Sequence, residues 1–285
     1  MSRGSRFGMA FHQGLGFSSV LMKIPAAAAV FWPGCALMNL DGVILDKTLD
    51  ILRRAEPEIQ LACGCCGQPT VYLFPEKTDQ RRNKLARLLK KQGVKRIYTA
   101  CPNCTLQLRE LEEFEILPVW PVLAAHIRPE DITAPDGSYI WHAPCPTRKE
   151  PDQQKAARDL LRICGCDCTQ PEHTGCKTQC CGNFHMLAAT DPERSAKMRR
   201  NRLKEFPEDR IIVSSCEGCL GAFRGEGRNT AHLLELLFGK SKSRGWGNRI
   251  KTTLKSENTA PIGAVFFHLI SLYLLAISWM STPFR

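Results

Sequence analysis

Acidic residues are missing from two long stretches of this sequence. Residues 1–25 hold Arg3, Arg6 and Lys23 without a single aspartate or glutamate, a charge of +3. Residues 240–256 hold Lys240, Lys242, Arg244, Arg249, Lys251 and Lys255, again without an acid, a charge of +6. Of the net +11, only +2 is left for the body from 26 to 239, because Glu257 and Arg285 cancel. A basic folded body would have pointed to nucleic acid; one this close to neutral excludes that class. A secretory signal is missing as well: residues 1–21 are rich in Gly and Ser, and Ala26–Ala29 follows no long apolar run. The first 25 residues are therefore expected to be a disordered leader, or upstream translation before a start at Met22. The thiols are expected to stay reduced, in a cytosol.

Cysteine is plentiful. There are fifteen, an odd number in a chain too long for a small disulfide-stapled scaffold. In CGCCGQP (63–69), Cys65 and Cys66 are adjacent. Consecutive Cα atoms lie about 3.8 Å apart, less than the roughly 4.4–6.8 Å of a disulfide. Adjacent thiols make better sense as joint ligands of a metal.

The pattern is written twice. VKRIYTACPNC (94–104) matches DRIIVSSCEGC (209–219), CCGQ (65–68) matches CCGN (180–183), and VFWPGC (30–35) matches IWHAPC (140–145). The two units read C-x29-CC-x34-C-x2-C and C-x34-CC-x34-C-x2-C, and they absorb ten of the fifteen cysteines. Repeat 1 is assigned to 26–132 and repeat 2 to 133–239. The candidate metal ligands are Cys35, Cys65, Cys66, Cys101 and Cys104, then Cys145, Cys180, Cys181, Cys216 and Cys219.

Within each unit, strands and helices alternate. AVFW and YIW are short apolar strands that run into a cysteine loop. LDKTLDILRRA has Leu45, Leu49 and Leu52 at helical spacing. PDQQKAARDLLRIC opens on proline and stops at Gly165, and TDQRRNKLARLLKKQG ends in lysines and Gly93. DPERSAKMRRNRLKEF places its acids first and its bases later, as the helix dipole favours. Such alternation implies an α/β fold of two tandem cysteine-rich repeats with mostly parallel sheets. Ligands then gather at the carboxyl ends of the strands, where Cys35, Cys101, Cys145 and Cys216 each follow a strand. A Cys-x-x-Cys at a helix N-terminus favours the thiolates that metals take, and the glycine after each vicinal pair would let the backbone approach closely. Iron–sulfur clusters usually take four thiolates, and so does structural zinc; each unit offers five.

The duplicated pattern resembles the CCG, or cysteine-rich, domain found in the cysteine-rich subunit of heterodisulfide reductase and in its relatives from glycolate, lactate and succinate oxidation systems. The resemblance spans roughly 26–239. It implies a [4Fe–4S] cluster of non-cubane type in at least one repeat, with zinc as an alternative occupant of the other. The implied role is an oxidoreductase subunit that passes electrons between a flavoprotein or ferredoxin-type iron–sulfur partner and a disulfide or a membrane quinone-reactive subunit. The alternative is a scaffold subunit held together by zinc or a cluster. Two departures stand out: the 29-residue interval in repeat 1 is shorter than the family's usual low thirties, and no C-x2-C-x2-C-x3-C ferredoxin run is present.

His142 and His185 lie near the cysteines in sequence and are expected to pack or to support ligands. Cys63, Cys164, Cys166, Cys168 and Cys176 read as spare thiols. The stretch 262–280 has no Asp, Glu, Lys or Arg over 19 residues, about a bilayer core in length. A transmembrane helix is expected at 261–281, preceded by a basic juxtamembrane linker at 240–260. The charge bias would keep the repeats on the cytoplasmic side of that membrane.

Overall fold

The computed structural model describes residues 3–19, 21–133 and 135–255. Among them the elements run α1 (Arg3–Gly16), β1 (Ala29–Trp32), α2 (Gly42–Leu52), β2 (Gln60–Leu61), α3 (Gln68–Leu73), α4 (Thr78–Lys91), β3 (Arg96–Thr99), α5 (Pro102–Arg109), β4 (Glu115–Pro118) and α6 (Val119–His126). The second half continues with β5 (Ser138–Trp141), α7 (Pro151–Ile163), β6 (Asp167–Thr169), α8 (Leu187–Thr190), α9 (Pro192–Leu203), β7 (Ile211–Ser214), α10 (Glu217–Arg224), β8 (Thr230–His232), α11 (Leu233–Phe238) and α12 (Trp246–Lys255).

Local chemistry explains the longer helices. Asp41 accepts from the Val43 amide ahead of α2, and Leu45, Leu49 and Leu52 bury the inner face of that helix. Asp191 caps α9 through the Arg194 amide, with Pro192 at the first helical position. Helices α4 and α7 each stop just before a glycine in the left-handed region, Gly93 (φ +73°) and Gly165 (φ +66°).

Each half forms a four-stranded sheet, ordered β2-β1-β3-β4 and β6-β5-β7-β8, and every pairing is parallel. Strand alternation divides the core. Ala29, Phe31, Tyr98, Tyr139, Trp141 and Val213 face a central layer that contains residues of α2, α6, α7 and α11. Val30, Trp32 and Ile97 face outward against α4 and α5, and Ile140 and Ile212 face outward with Phe206 and Phe223. In the central layer α6 packs on α7 and α11 packs on α2, so both halves share one apolar interior. Phe31, Leu52 and Leu160 are fully buried there, each contributing roughly 1.5–3 kcal/mol relative to exposure. Ion pairing of Arg109 with Glu150 and a stack of Tyr72 on His185 (4.5 Å between centroids) also tie the halves together.

Three expectations need correction or placement. In place of a disordered leader, Arg3–Gly16 is helical, and its Gln13 is fully buried. The basic linker is not a free strand of charge: α12 buries Arg249, Thr252 and Thr253, Arg244 pairs with Glu217 and Glu235, and Lys255 pairs with Asp46. Among the described residues no helix is long and apolar enough to cross a membrane; the stretch expected to span one, 261–281, lies outside them.

Candidate metal centre

Three adjacent parallel strands deliver the cysteines of each repeat. Cys35 follows β1, the Cys65–Cys66 pair follows β2 and Cys101 follows β3, with β1 between the other two. Cys145 follows β5, Cys180–Cys181 come in the loops after β6 and Cys216 follows β7, with β5 between. The five extra residues in the first interval of repeat 2 fit the longer path after β6, which includes a short turn at Gly175–Lys177. Cys104 and Cys219 sit one turn into α5 and α10, so each Cys-x-x-Cys brackets a helix N-terminus.

These ten sulfurs form one line of contacts. Cys35 neighbours Cys65, Cys65 neighbours Cys66, Cys66 neighbours Cys104, and Cys104 neighbours Cys101. Cys145 meets Cys180 at 3.7 Å, Cys180 meets Cys181, Cys181 meets Cys219, and Cys219 meets Cys216. The two fives run in equivalent order and join where Cys101 meets Cys216. Asn103 donates to the Cys216 sulfur across the same seam at 3.6 Å. Eight of the ten are buried, and Cys35 and Cys101 are half-buried.

Crowded thiols cannot all ionise, and the pattern of acidity reflects this. Hydrogen bonds from Cys35 and Cys66 hold the Cys65 thiol well below its ordinary value. Bonds from Cys145 and Cys181 bring its counterpart Cys180 down to about 2, and bonds from Cys104 and Cys216 lower Cys101. Their neighbours move the other way. Cys35 and Cys145 are raised by hydrogen bonding to Cys65 and Cys180 and then by burial. Cys181 is pushed up to about 12, chiefly by Cys180. Cys104, Cys216 and Cys219 are likewise raised, each first by a hydrogen bond to another sulfur. Cys66 also ends high, because Cys65 and burial outweigh the lowering hydrogen bond from Cys104. A bound cation would relieve the crowding by taking up the thiolates and releasing the protons. The donor set thus suits a thiophilic metal or an iron–sulfur group.

Glycines shape the cradle. A Cβ on Gly34 (φ +87°) would lie 2.9 Å from the Cys104 sulfur and 3.0 Å from the Cys101 Cβ, so glycine is required there by both backbone and space. The glycine after each vicinal pair brings its backbone to sulfur as expected: the Gly182 amide donates to the Cys180 sulfur at 3.3 Å, and the Gly67 amide to Cys65. Gly182 (φ +85°) lets the chain turn against α9, where a Cβ would meet the Ser195 carbonyl at 2.3 Å, and Gly67 (φ +91°) faces Phe17. Close approach to sulfur is thus shared by Gly34 and the CCG glycines.

The surroundings of the two fives differ. Over repeat 1, Gln13 of α1 donates to the Cys65 sulfur at 3.5 Å, and Gly16 comes close enough that a Cβ would stand 3.1 Å from the Cys65 Cβ. In repeat 2, His142 occupies the position of Trp32 and is fully buried. Its Nδ1 accepts from Arg202 Nε at 3.3 Å. Burial, reinforced by Arg202, lowers its pKa to about 3, so the ring is neutral. A ligating nitrogen of His142 and the sulfurs of Cys181 and Cys219 all lie within 4.8 Å of one another. His185 sits apart in a left-handed conformation (φ 56°), stacked on Tyr72. A shallow cleft reaches the sulfurs of repeat 2 beside Asn103, Asn183, Phe184 and Gly218.

Of the spare thiols, Cys63 is buried beneath the first sheet, Cys164 ends α7, and Cys176 is exposed. At the edge strand β6, Cys166 donates to the Leu161 carbonyl and Cys168 to the Thr169 carbonyl. Sequence reasoning missed Gln13, Arg202 and Arg249 near the centres, since nothing local marks a distant helix as a cover.

Comparison with curated proteins finds no match. Among solved structures, Picrophilus torridus aspartate racemase is similar at 10% identity over 74% of this chain and 90% of its own, with a TM-score of 0.31, a likeness too slight to bear on function. The family model of the CCG cysteine-rich domain matches twice, over residues 29–109 and 139–224, and each match contains one complete line of five sulfurs apart from the caps contributed by α1 and α12. With more than half of its length in those two copies, this chain belongs to the CCG cysteine-rich domain family.

Proposed function

We propose that this chain is an iron–sulfur electron-transfer subunit with one metal–thiolate centre in each repeat. The observation that carries the reading is the unbroken line of ten sulfurs, which would bring two centres into contact at Cys101 and Cys216. Five thiolates per repeat exceed what a tetrahedral zinc ion takes and suit a multi-iron group. When bound, such a group accepts and releases single electrons; the protein's part is to hold its sulfurs, exclude water and tune its charge. The electrons would pass between a flavoprotein or ferredoxin-type partner and a disulfide or quinone acceptor. The cleft beside Asn103 and Asn183 is where an acceptor could come within reach of the repeat 2 sulfurs. The apolar stretch 262–280 supports a setting at a membrane face.

A second reading has its own support. The grouping of His142 with Cys181 and Cys219 is a mixed nitrogen and sulfur set that zinc accepts. Repeat 2 would then be a structural zinc site, and only repeat 1 would carry electrons.

Anaerobic purification of the full chain, followed by iron, sulfide and zinc analysis and electron paramagnetic resonance, decides between them. The proposal expects a brown protein with iron and sulfide at about four each per occupied repeat. A colourless protein holding zinc alone would remove the electron-transfer role.

A further inference from the structure

Arg249 of α12 is 1% exposed, among the least exposed charged side chains in the described residues. Its Nη1 lies 3.2 Å from His12 Nε2 of α1, and its guanidinium carbon stands 4.7 Å from the centroid of the Trp246 ring. Its Nε and Nη2 have no hydrogen-bond partner. Among the described residues no carboxylate pairs with it. A buried guanidinium without a counter-charge is costly, and so is a buried donor without an acceptor.

The surroundings say where the missing anion belongs. A Cβ at Gly16 would touch the Cys65 Cβ at 3.1 Å on one side and Arg249 Nη2 at 3.7 Å on the other, so the guanidinium and the repeat 1 sulfurs flank the same point of α1. Gln13, from the same helix, already donates to Cys65. Helices α1 and α12 therefore close over repeat 1 together, and both lie outside the two family matches. Repeat 2 also leaves one guanidinium N–H group, Arg202 Nη2, without a partner, but it treats the charge differently. Its buried Arg202 is paired with Glu205 at 2.9 Å, so its charge is neutralised within the protein.

We infer that Arg249 is the built-in counter-cation of the repeat 1 centre: its free N–H groups are held for the sulfurs of an anionic metal–thiolate group on Cys35, Cys65, Cys66, Cys101 and Cys104, and docking of α12 depends on that group. This rests on the metal-binding reading above and adds two consequences to it. A positive charge beside the centre favours its reduced, more negative state, so it raises the potential of repeat 1 relative to repeat 2. The last described helix also becomes a reporter of whether repeat 1 is filled.

The test uses the full chain, loaded with iron and sulfide anaerobically and compared with the same protein stripped by chelator. Hydrogen exchange of residues 246–255 is measured in both, and metal content is measured alongside. The inference expects α12 to be protected when loaded and to lose that protection when stripped. Arg249→Gln should abolish the difference and shift the midpoint potential of one centre downward while leaving the other in place, and Arg249→Lys should fall between. Equal protection of α12 in loaded and stripped protein, with metal bound, would overturn the counter-cation alone. An unshifted potential in Arg249→Gln would do the same. Failure of the wild-type chain to hold metal in repeat 1 would overturn this inference together with the reading it rests on, and the metal assay reports that separately. The loaded and stripped comparison requires no variant, so a poorly folding substitution leaves it intact.

Discussion

Repeat 1 and repeat 2 line up five sulfurs in the same order of contact, yet almost nothing around those sulfurs is the same. Trp32 in the first stands where His142 stands in the second. Gly34, in the left-handed region, is matched by Pro144 in an extended conformation (φ −64°). An unpaired Arg249 beside the first is matched by an Arg202 neutralised by Glu205 beside the second. The ligand pattern is shared while the surrounding charges differ, and under the proposed reading two centres in unlike fields would acquire unlike potentials. If the chain carries electrons as proposed, that difference would give their path a direction.

The comparison can be broken most directly at the ligands. Cys66→Ser and Cys181→Ser are each expected to lose about one centre's worth of metal, because a hydroxyl is a poor replacement for a thiolate. Metal analysis would show it, and the magnetic signal of the surviving centre should change through the Cys101–Cys216 contact. Equal, independent signals in the two variants would mean the seam does not couple them.

Removing the internal counter-charge of repeat 2 comes next. Glu205→Gln leaves Arg202 buried and unpaired apart from its bond to His142, and should cost on the order of 3 kcal/mol in chemical denaturation. Gly34→Ala should cost about 1–2 kcal/mol for the left-handed backbone, with further loss from the clash with Cys104. Its counterpart Pro144→Ala, at an ordinary extended φ, should cost well under half as much and leave metal content unchanged. A metal-replete Gly34→Ala protein of normal stability would show that the two approaches to sulfur are equivalent after all.

The smallest effect is expected far from sulfur. Asp131 of repeat 1 is held below its ordinary carboxylate value of 3.8, first by its hydrogen bond to Arg54. Because the folded pKa lies below the unfolded one, the stabilisation is fully present above the unfolded value and fades as pH falls through the folded one. The pair is partly exposed, so Asp131→Asn should remove less than about 1 kcal/mol at neutral pH, and variant and wild type should converge as the pH drops below about 4. A difference that persists in acid would assign the effect to packing.

Much of this molecule was legible from its residues. The cysteine spacing sufficed to sort ten sulfurs into two groups of five, and three neighbouring parallel strands bring each group to one edge. Helices with end signals, such as α4, α7 and α9, read correctly, and leucine spacing revealed α2 but not its first turn, Gly42–Ile44. The edge strands did not: β2 has two residues and β6 and β8 have three each, too short for any periodicity. The leader also misled. Helix α1 contains Gly8, Gly14 and Gly16, poor helix formers, so it depends on tertiary packing, to which the buried Gln13 and Gly16 contribute. Among six bases in 240–256, nothing local separates the one that turns inward from those that stay in water.

The helical layer between the sheets bears on ancestry. Because α6 meets α7 much as α11 meets α2, the join between the halves has the self-matching character of a two-fold dimer. A protein of one repeat would expose that whole layer to water and would find its natural cover in a second copy of itself. The fused chain would then be a former pair of identical subunits.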